Sequence, residues 1–424
     1  MRHVLFLSYN FPPMGGGGVQ RTVKFVKYLP EFGWEGLVIA ADDKNYWARD
    51  ETLHEDIPES TIVRRSSPLR PGFFISALER ITSRGFAQGL MENVFIPDDK
   101  IFWALSILFG ALRMVKKHDI RLIYSTSPPH STHLAALLLK RITRLPWVSD
   151  FRDPWTKNYL YKPSNGWIES INRMMERAVM RDADRTICIT ERAKESYGEL
   201  PWVDPDRLVT IYNGYDPDDF GGDGAREVDS DKLIITHSGS IYGGNYPKDF
   251  FLAVRRILRE EPSLRERLLF RFVGVMDKEI EAEIRSFLGD NVQFLGYLTH
   301  REAVDVVTRS DCNLVVVTAD EKASYHVTGK LFEYMAAGRP ILAVVPPGEA
   351  ADLVRSTETG IVISEDNPEA LRRKFRGAIE EIAEMKGKGT FSPNIEAVRR
   401  FERRRQAERL AGIFDQLTAE TGKR

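Results

Sequence analysis

The chain has 424 residues, with 60 Lys and Arg against 61 Asp and Glu and a formal net charge of −1. One hydrophobic core rarely grows past about 250–300 residues, so this length excludes a single domain. The even charge balance excludes a dedicated nucleic-acid binder, which needs a basic face, and a composition 42% apolar and 29% charged excludes a disordered chain.

The opening MRHVLFLSYNFPP lacks the apolar region and small-residue cleavage site of a secretory signal. Short β-branched and apolar runs then alternate with helical patterns along the whole chain. Strands are predicted at 4–8, 37–40, 61–64, 122–125, 147–151, 186–190 and 209–212, and again at 233–237, 269–273, 292–295, 312–318, 341–345 and 360–363. Helical patterns fill 19–30, 133–144, 168–182, 248–260, 278–288, 300–309, 330–337 and 368–385. Continuous apolar strands separated by helices predict parallel sheets covered on both faces. The pattern restarts once, after the acidic, glycine-containing stretch DPDDFGGDGAREVDSDK at 216–232, which reads as a linker. The expected fold is therefore α/β, with two tandem Rossmann-like domains and a ligand cleft beyond the strand C-termini. The longest apolar stretch, 101–112 (IFWALSILFGAL), is too short for the about 20 residues of a spanning helix. A cytoplasmic protein is expected, at most lying on the cytoplasmic face of a membrane. The apolar tract 71–112 reads either as domain core or as an interfacial patch. The two cysteines, Cys188 and Cys312, sit in separate strand-like runs and read as buried hydrophobes, with no zinc or disulfide spacing.

The loops after strands carry the candidate chemistry. Residues 10–18 (NFPPMGGGG) place Gly15, Gly16, Gly17 and Gly18 at the start of the first helix, where free N–H groups favour anions. This loop reads as a phosphate- or acceptor-facing loop, as a dinucleotide site with Asp42 or Asp43, or as a flexible turn. Residues 125–133 (STSPPHSTH) offer His130 and His133, either as cleft groups or as a plain helix start. In 147–155 (WVSDFRDPW), Asp150 and Asp153 flank Arg152, which either braces the loop or presents a carboxylate to substrate. In the second half, 237–248 (HSGSIYGGNYPK) brings Gly239, Ser240, Gly243, Gly244 and Lys248. The segment 324–347 is the most informative. Thr328 and Gly329 open a short helix whose N-terminus suits a diphosphate, Lys330 adds a cation, and Glu333 stands one turn on, suited to ribose hydroxyls.

These motifs, FPPMGGGGVQR, STSPPHSTH, WVSDFRDPW, IYNGYDPDDF, HSGSIYGG and GKLFEYMAAGRPILAV, together resemble the retaining glycosyltransferases of family 4, which have the GT-B fold. The resemblance is nearest to a sub-branch acting in bacterial surface-polysaccharide assembly. It implies an acceptor-side domain over 1–215 completed by a helix at 400–424, a linker at 216–232, and a sugar-nucleotide domain over 233–399. It implies that Glu333 binds ribose, with Thr328, Gly329, Lys330, Lys248, Gly239 and Ser240 around the donor. Tyr325 stands where the family has a sugar-binding glutamate, and Asp150 where it has a histidine. Asp150, Asp153 and His130 are the expected catalytic-side groups, orienting the acceptor.

The implied activity is metal-independent transfer of a hexose from a UDP- or GDP-linked sugar to a glycan or lipid-linked acceptor, in exopolysaccharide, O-antigen or capsule synthesis. No cofactor and no metal are expected, because no Asp-x-Asp motif follows a suitable strand, and the triplet at 216–218 falls at the start of the linker. The expected partners are the sugar nucleotide, the acceptor and, at the periphery, the inner-membrane surface, with no nucleic acid. A sugar-nucleotide epimerase, a non-catalytic nucleotide-sugar sensor and a nicotinamide-dependent oxidoreductase are the alternatives.

Overall fold

The computed structural model describes residues 1–42, 44, 46, 48–67, 95–158, 161–221, 231–241, 246–317, 325, 327–364 and 367–421. The chain divides into two compact units, Met1–Tyr212 with Arg403–Arg424, and Asn213–Glu402. Of the residues singled out above, Asp43, Gly243, Gly244 and most of the tract 71–112 lie outside the described residues.

The first unit is built on β1 (Arg2–Leu7), β2 (Trp34–Ala41), β3 (Val63–Ser66), β4 (Ile120–Ser127), β5 (Trp147–Phe151), β6 (Arg185–Cys188) and β7 (Leu208–Thr210). They form one parallel sheet in the order β3-β2-β1-β4-β5-β6-β7. β5 is buried throughout and β4 nearly so, which is why their sequences read as unbroken apolar or small-residue runs. β2 begins three residues before the apolar run at Leu37. Its first residue, Trp34, pairs with Arg2, packs edge-on to Phe414 and donates its indole N–H to Asp415 at 2.8 Å. That anchor comes from the end of the chain, so local sequence does not show it. The helix Arg403–Thr421 buries Ala407, Leu410, Phe414 and Leu417 in the same core as Val4, Phe6 and Val38. The terminal helix expected at 400–424 runs over Arg403–Thr421; a separate short helix, Ile395–Arg399, precedes it, and the boundary between the units falls in the break between the two.

The second unit carries β8 (Leu233–Ser238), β9 (Leu268–Val273), β10 (Val292–Gly296), β11 (Cys312–Val316), β12 (Ile341–Val344) and β13 (Gly360–Ile363). They form a parallel sheet in the order β10-β9-β8-β11-β12-β13. Its core is a separate cluster that includes Phe250, Phe251, Phe270, Phe272, Leu342 and Phe375. Both sheets are thus doubly wound, with the chain reversing direction across the sheet at β1/β4 and at β8/β11. Open parallel sheets hold ligands beyond the strand C-termini at such switch points. Cys188 and Cys312 are free and buried, and burial pushes both thiols well above their ordinary pKa. Among the described residues no helix is long and apolar enough to cross a membrane.

Candidate active site

In the second unit, the β8/β11 switch point brings the end of β8 against the helix Gly329–Ala336. Thr328 caps that helix, its hydroxyl accepting from the Lys330 N–H. Tyr334, fully buried one turn on, clamps helix to strand: the Ser238 N–H donates to its hydroxyl oxygen at 2.7 Å. Gly239 follows at φ +146, and a Cβ built there would sit 1.3 Å from Lys330 Nζ. The glycine therefore vacates the space that the lysine amine fills. Gly274, at φ +126, makes room in turn for Gly239: a Cβ on it would lie 2.6 Å from the Gly239 carbonyl carbon. Two glycines and one tyrosine thus set a cation beside the N–H groups of a helix N-terminus, an arrangement that attracts oxyanions.

The electrostatics follow from burial. Desolvation lowers the Lys330 pKa to about 8, with Glu333 pulling the other way. Desolvation, assisted by the Lys330 charge, lowers the His237 pKa to about 3, so His237 is neutral near pH 7. Its Nδ1–H donates to the Leu314 carbonyl at 2.9 Å, which ties β8 to β11. Glu333 is 24% exposed and points to His300, whose Nδ1 lies 3.9 Å from Glu333 Oε1 and whose Nε2 lies 3.0 Å from Asp219 Oδ2. The sequence reading missed His300 and Asp219. The signal was thin, a Thr-His at a helix start and an aspartate inside the supposed linker. Here 217–220 forms a short helical turn instead of loose chain.

Gly239, Ser240, Thr328, Gly329, Lys330 and Glu333 are thus brought together around one switch point. Tyr325 is half-buried, four residues ahead of Gly329. Lys248 is not brought into this cluster. It is exposed at the start of the helix Lys248–Glu260, and its amine pairs with Glu283 at 2.6 Å.

In the first unit, the loops after β1, β4 and β5 meet. Gly16, at φ +89, begins the helix Gly17–Tyr28, which has no side-chain cap. Gly15 donates its N–H to the Ala48 carbonyl, and Gly17 faces open space. A Cβ on Gly18 would lie 2.2 Å from Arg152 Nη1, so Gly18 gives way to that guanidinium. Asp153 sits 3.5 Å from Arg152 and braces it. His130 stacks on Trp155 with centroids 4.7 Å apart and planes 6° from parallel. Trp155 is held in turn by Asn172 and Tyr197. Burial and the neighbouring Arg152 charge lower the His130 pKa to about 3, and its Nδ1 has no hydrogen-bond partner among the described residues. His133 is fully buried on Phe151 with Nδ1 bonded to Ser125, a core position.

Asp150 corrects the expectation of a carboxylate facing substrate. It is 0% exposed and takes a two-pronged ion pair from Arg21, at 2.6 and 3.1 Å, together with the Tyr124 hydroxyl. Arg21 also donates to the carbonyls of Ile211 and Tyr212. Asp150 therefore holds Arg21, and through it the end of the first unit. Position 150 faces inward because β5 is a central strand covered on both faces. Among the described residues, no three His, Cys, Asp or Glu side chains converge as a metal site.

Comparison with known proteins agrees with this fold. Residues 16–214 match the glycosyl transferase 4-like domain, and residues 224–386 match glycosyl transferases group 1. No curated protein sequence matches the chain. Among solved structures, sucrose-phosphate synthase from Thermosynechococcus elongatus superposes with a TM-score of 0.69 at 16% identity, covering 99% of this chain and 100% of that one. HepE from Anabaena, in complex with UDP and glucose, gives 0.66 at 15% identity, covering 98% and 100%. WaaG, a glycosyltransferase involved in lipopolysaccharide biosynthesis, gives 0.63 at 16% identity, covering 97% and 99%. At such identities the structural likeness speaks for the fold alone. Fold and domain matches together define a glycosyltransferase of GT-B architecture. Within that architecture, two glycosyltransferase domain models match the chain in tandem, a 4-like domain ahead of a group 1 domain.

Proposed function

We propose that the protein is a retaining, metal-independent hexosyltransferase of family 4. It would move a sugar from a UDP- or GDP-linked donor to a glycan or lipid-linked acceptor in bacterial surface-polysaccharide synthesis. The observation that carries the donor half is the Lys330 amine, seated in the Gly239 notch beside the N-terminus of Gly329–Ala336. In this reading the donor diphosphate lies on those N–H groups and Lys330, and Glu333 accepts from the ribose hydroxyls. Negative charge grows on the departing diphosphate, and donors already aimed at it cost no reorganisation during reaction. HepE, of similar fold, was solved in complex with UDP and glucose, which supports a nucleotide-linked sugar as the donor.

The first unit supplies the acceptor side. His130, neutral and with its Nδ1 unpartnered among the described residues, and the Arg152–Asp153 pair at the Gly16–Gly18 loop orient the acceptor. The acceptor oxygen bonds to the anomeric carbon as the bond to the diphosphate breaks. The hydroxyl proton passes to a departing phosphate oxygen on the same face, so configuration is retained. Asp150 is a positioning residue in this scheme, acting through Arg21.

Glu333→Ala is expected to weaken UDP or GDP binding by about tenfold, the scale of a lost charged hydrogen bond. Isothermal titration with each nucleotide measures it, and unchanged affinity would remove Glu333 from the nucleotide site. Release of nucleotide only when a lipid-linked or glycan acceptor is added supports transfer. A sugar product formed from donor alone would mark an epimerase instead.

The Lys330 amine sets a pH dependence. In the free protein it is protonated below a pKa of about 8 and loses its charge above it. Diphosphate affinity should therefore fall as pH rises through 8, and Lys330→Met should flatten that profile between about pH 7 and 9. A profile of unchanged slope in Lys330→Met would assign the titration elsewhere.

A further inference from the structure

The helices Ile101–Ser106 and Leu108–Lys117 bury one face, with Trp103, Ala104, Ala111 and Met114 in the first unit. Their outer face is apolar as well, with Phe102, Leu105 and Phe109 exposed by 42%, 45% and 64%. Residues 101–117 contain no Asp or Glu, and they end in Arg113, Lys116 and Lys117. Beside them lies an open cavity of about 400 Å³ between the second helix and the edge strand β3, lined by Ile62, Val63, Met114 and the cations Arg64, Arg113 and Lys117. Arg113 lies over the Phe109 ring at 4.3 Å, so apolar face and cavity are continuous. The Arg64 guanidinium rests on Gly110, where a Cβ would come within 3.2 Å of it. Among the described residues, none of Arg64, Arg113, Lys116 and Lys117 pairs with a carboxylate, whereas many surface arginines elsewhere do, such as Arg173 with Glu169 and Arg309 with Asp305.

We propose that this face docks on an anionic lipid surface, with a lipid phosphate held in the cavity by Arg64, Arg113 and Lys117. Phe102, Leu105 and Phe109 then enter the boundary between headgroups and acyl chains. Apolar side chains exposed together mark an interaction surface, and cations beside them that pair with no carboxylate among the described residues select negative headgroups over a neutral protein partner. The proposal deepens the lipid-linked-acceptor reading and rests on it for its purpose. Docking itself needs no substrate.

The test is co-sedimentation of the full chain with vesicles of phosphatidylcholine alone or mixed with phosphatidylglycerol. Binding to the mixed vesicles only, weakened by salt, is expected. Arg113→Gln with Lys117→Gln should lower the partition coefficient by more than about tenfold, from the loss of two surface cations. Phe109→Ser should lower it while leaving the salt dependence in place. All three side chains are exposed, so the variants keep the fold, and Arg256→Gln with Arg309→Gln in the second unit is the control. Equal binding to both vesicle types, or full binding by the Arg113 and Lys117 double variant, would overturn the proposal. So would inorganic phosphate raising the melting temperature as much as the mixed vesicles do, which would put a free anion in the cavity. A UDP or GDP thermal shift on the same samples reads the donor site independently, so failure of docking and failure of the transferase reading are told apart.

Discussion

Gly239→Ala is expected to weaken UDP or GDP binding by about a hundredfold. The added methyl would occupy the position of the Lys330 amine, 1.3 Å from Nζ, and the flexible lysine would swing out of the notch. The site then loses a charge-assisted contact of about 1.5–3 kcal/mol, or about ten- to hundredfold in affinity. The φ of +146 adds backbone strain that an alanine does not relieve. Titration calorimetry with the nucleotide gives the affinity, and Lys330→Met separates the two causes. If the cation carries the effect, the double variant binds no worse than Gly239→Ala alone. Wild-type affinity in Gly239→Ala would show that the diphosphate does not meet Lys330.

Asp150→Ala should be the most destabilising single change in the first unit. It leaves the Arg21 guanidinium, 1% exposed, without its carboxylate, and it orphans the Tyr124 hydroxyl. Breaking a buried pair from one side costs about 3–5 kcal/mol, because a charge stays buried without compensation. For a unit of this size that lowers the melting temperature by about 6–20 °C. Arg21→Met with Asp150→Leu should recover part of the loss. The recovery is incomplete because the Ile211 and Tyr212 carbonyls also lose their donor. Differential scanning calorimetry reads both. A shift of only a degree or two in Asp150→Ala would mean that the carboxylate is free to serve the acceptor after all. The buried pair also explains why Asp150 looks like a catalytic group in sequence: a carboxylate at the end of a central strand is rare unless something answers it, and here the answer is a structural arginine.

Arg21 shows the limit of reading along the chain. It stands in an amphipathic helix where arginine usually faces solvent, and nothing local marks it as the partner of a residue 129 positions away. Lys248 shows the converse. A lysine after a glycine-rich strand end looks like a phosphate clamp, yet its helix turns it toward Glu283. Lys330 and Glu333 were legible because their spacing on one short helix is local, and a helix start announces its own N–H groups. His300 and Asp219 were not, because the contact that joins them to Glu333 spans three separate segments.

The chain's length already required two domains, and its alternation of apolar runs with helical patterns already required two parallel sheets. Both properties are periodic and local, so the order of residues suffices to state them. The even global charge also ruled out a broad basic field. Which charges act was decided only by folding. Parallel packing buries strand ends and brings residues from distant loops to each switch point. It turns Asp150 inward onto Arg21, and it seats Lys330 in the space that Gly239 leaves empty.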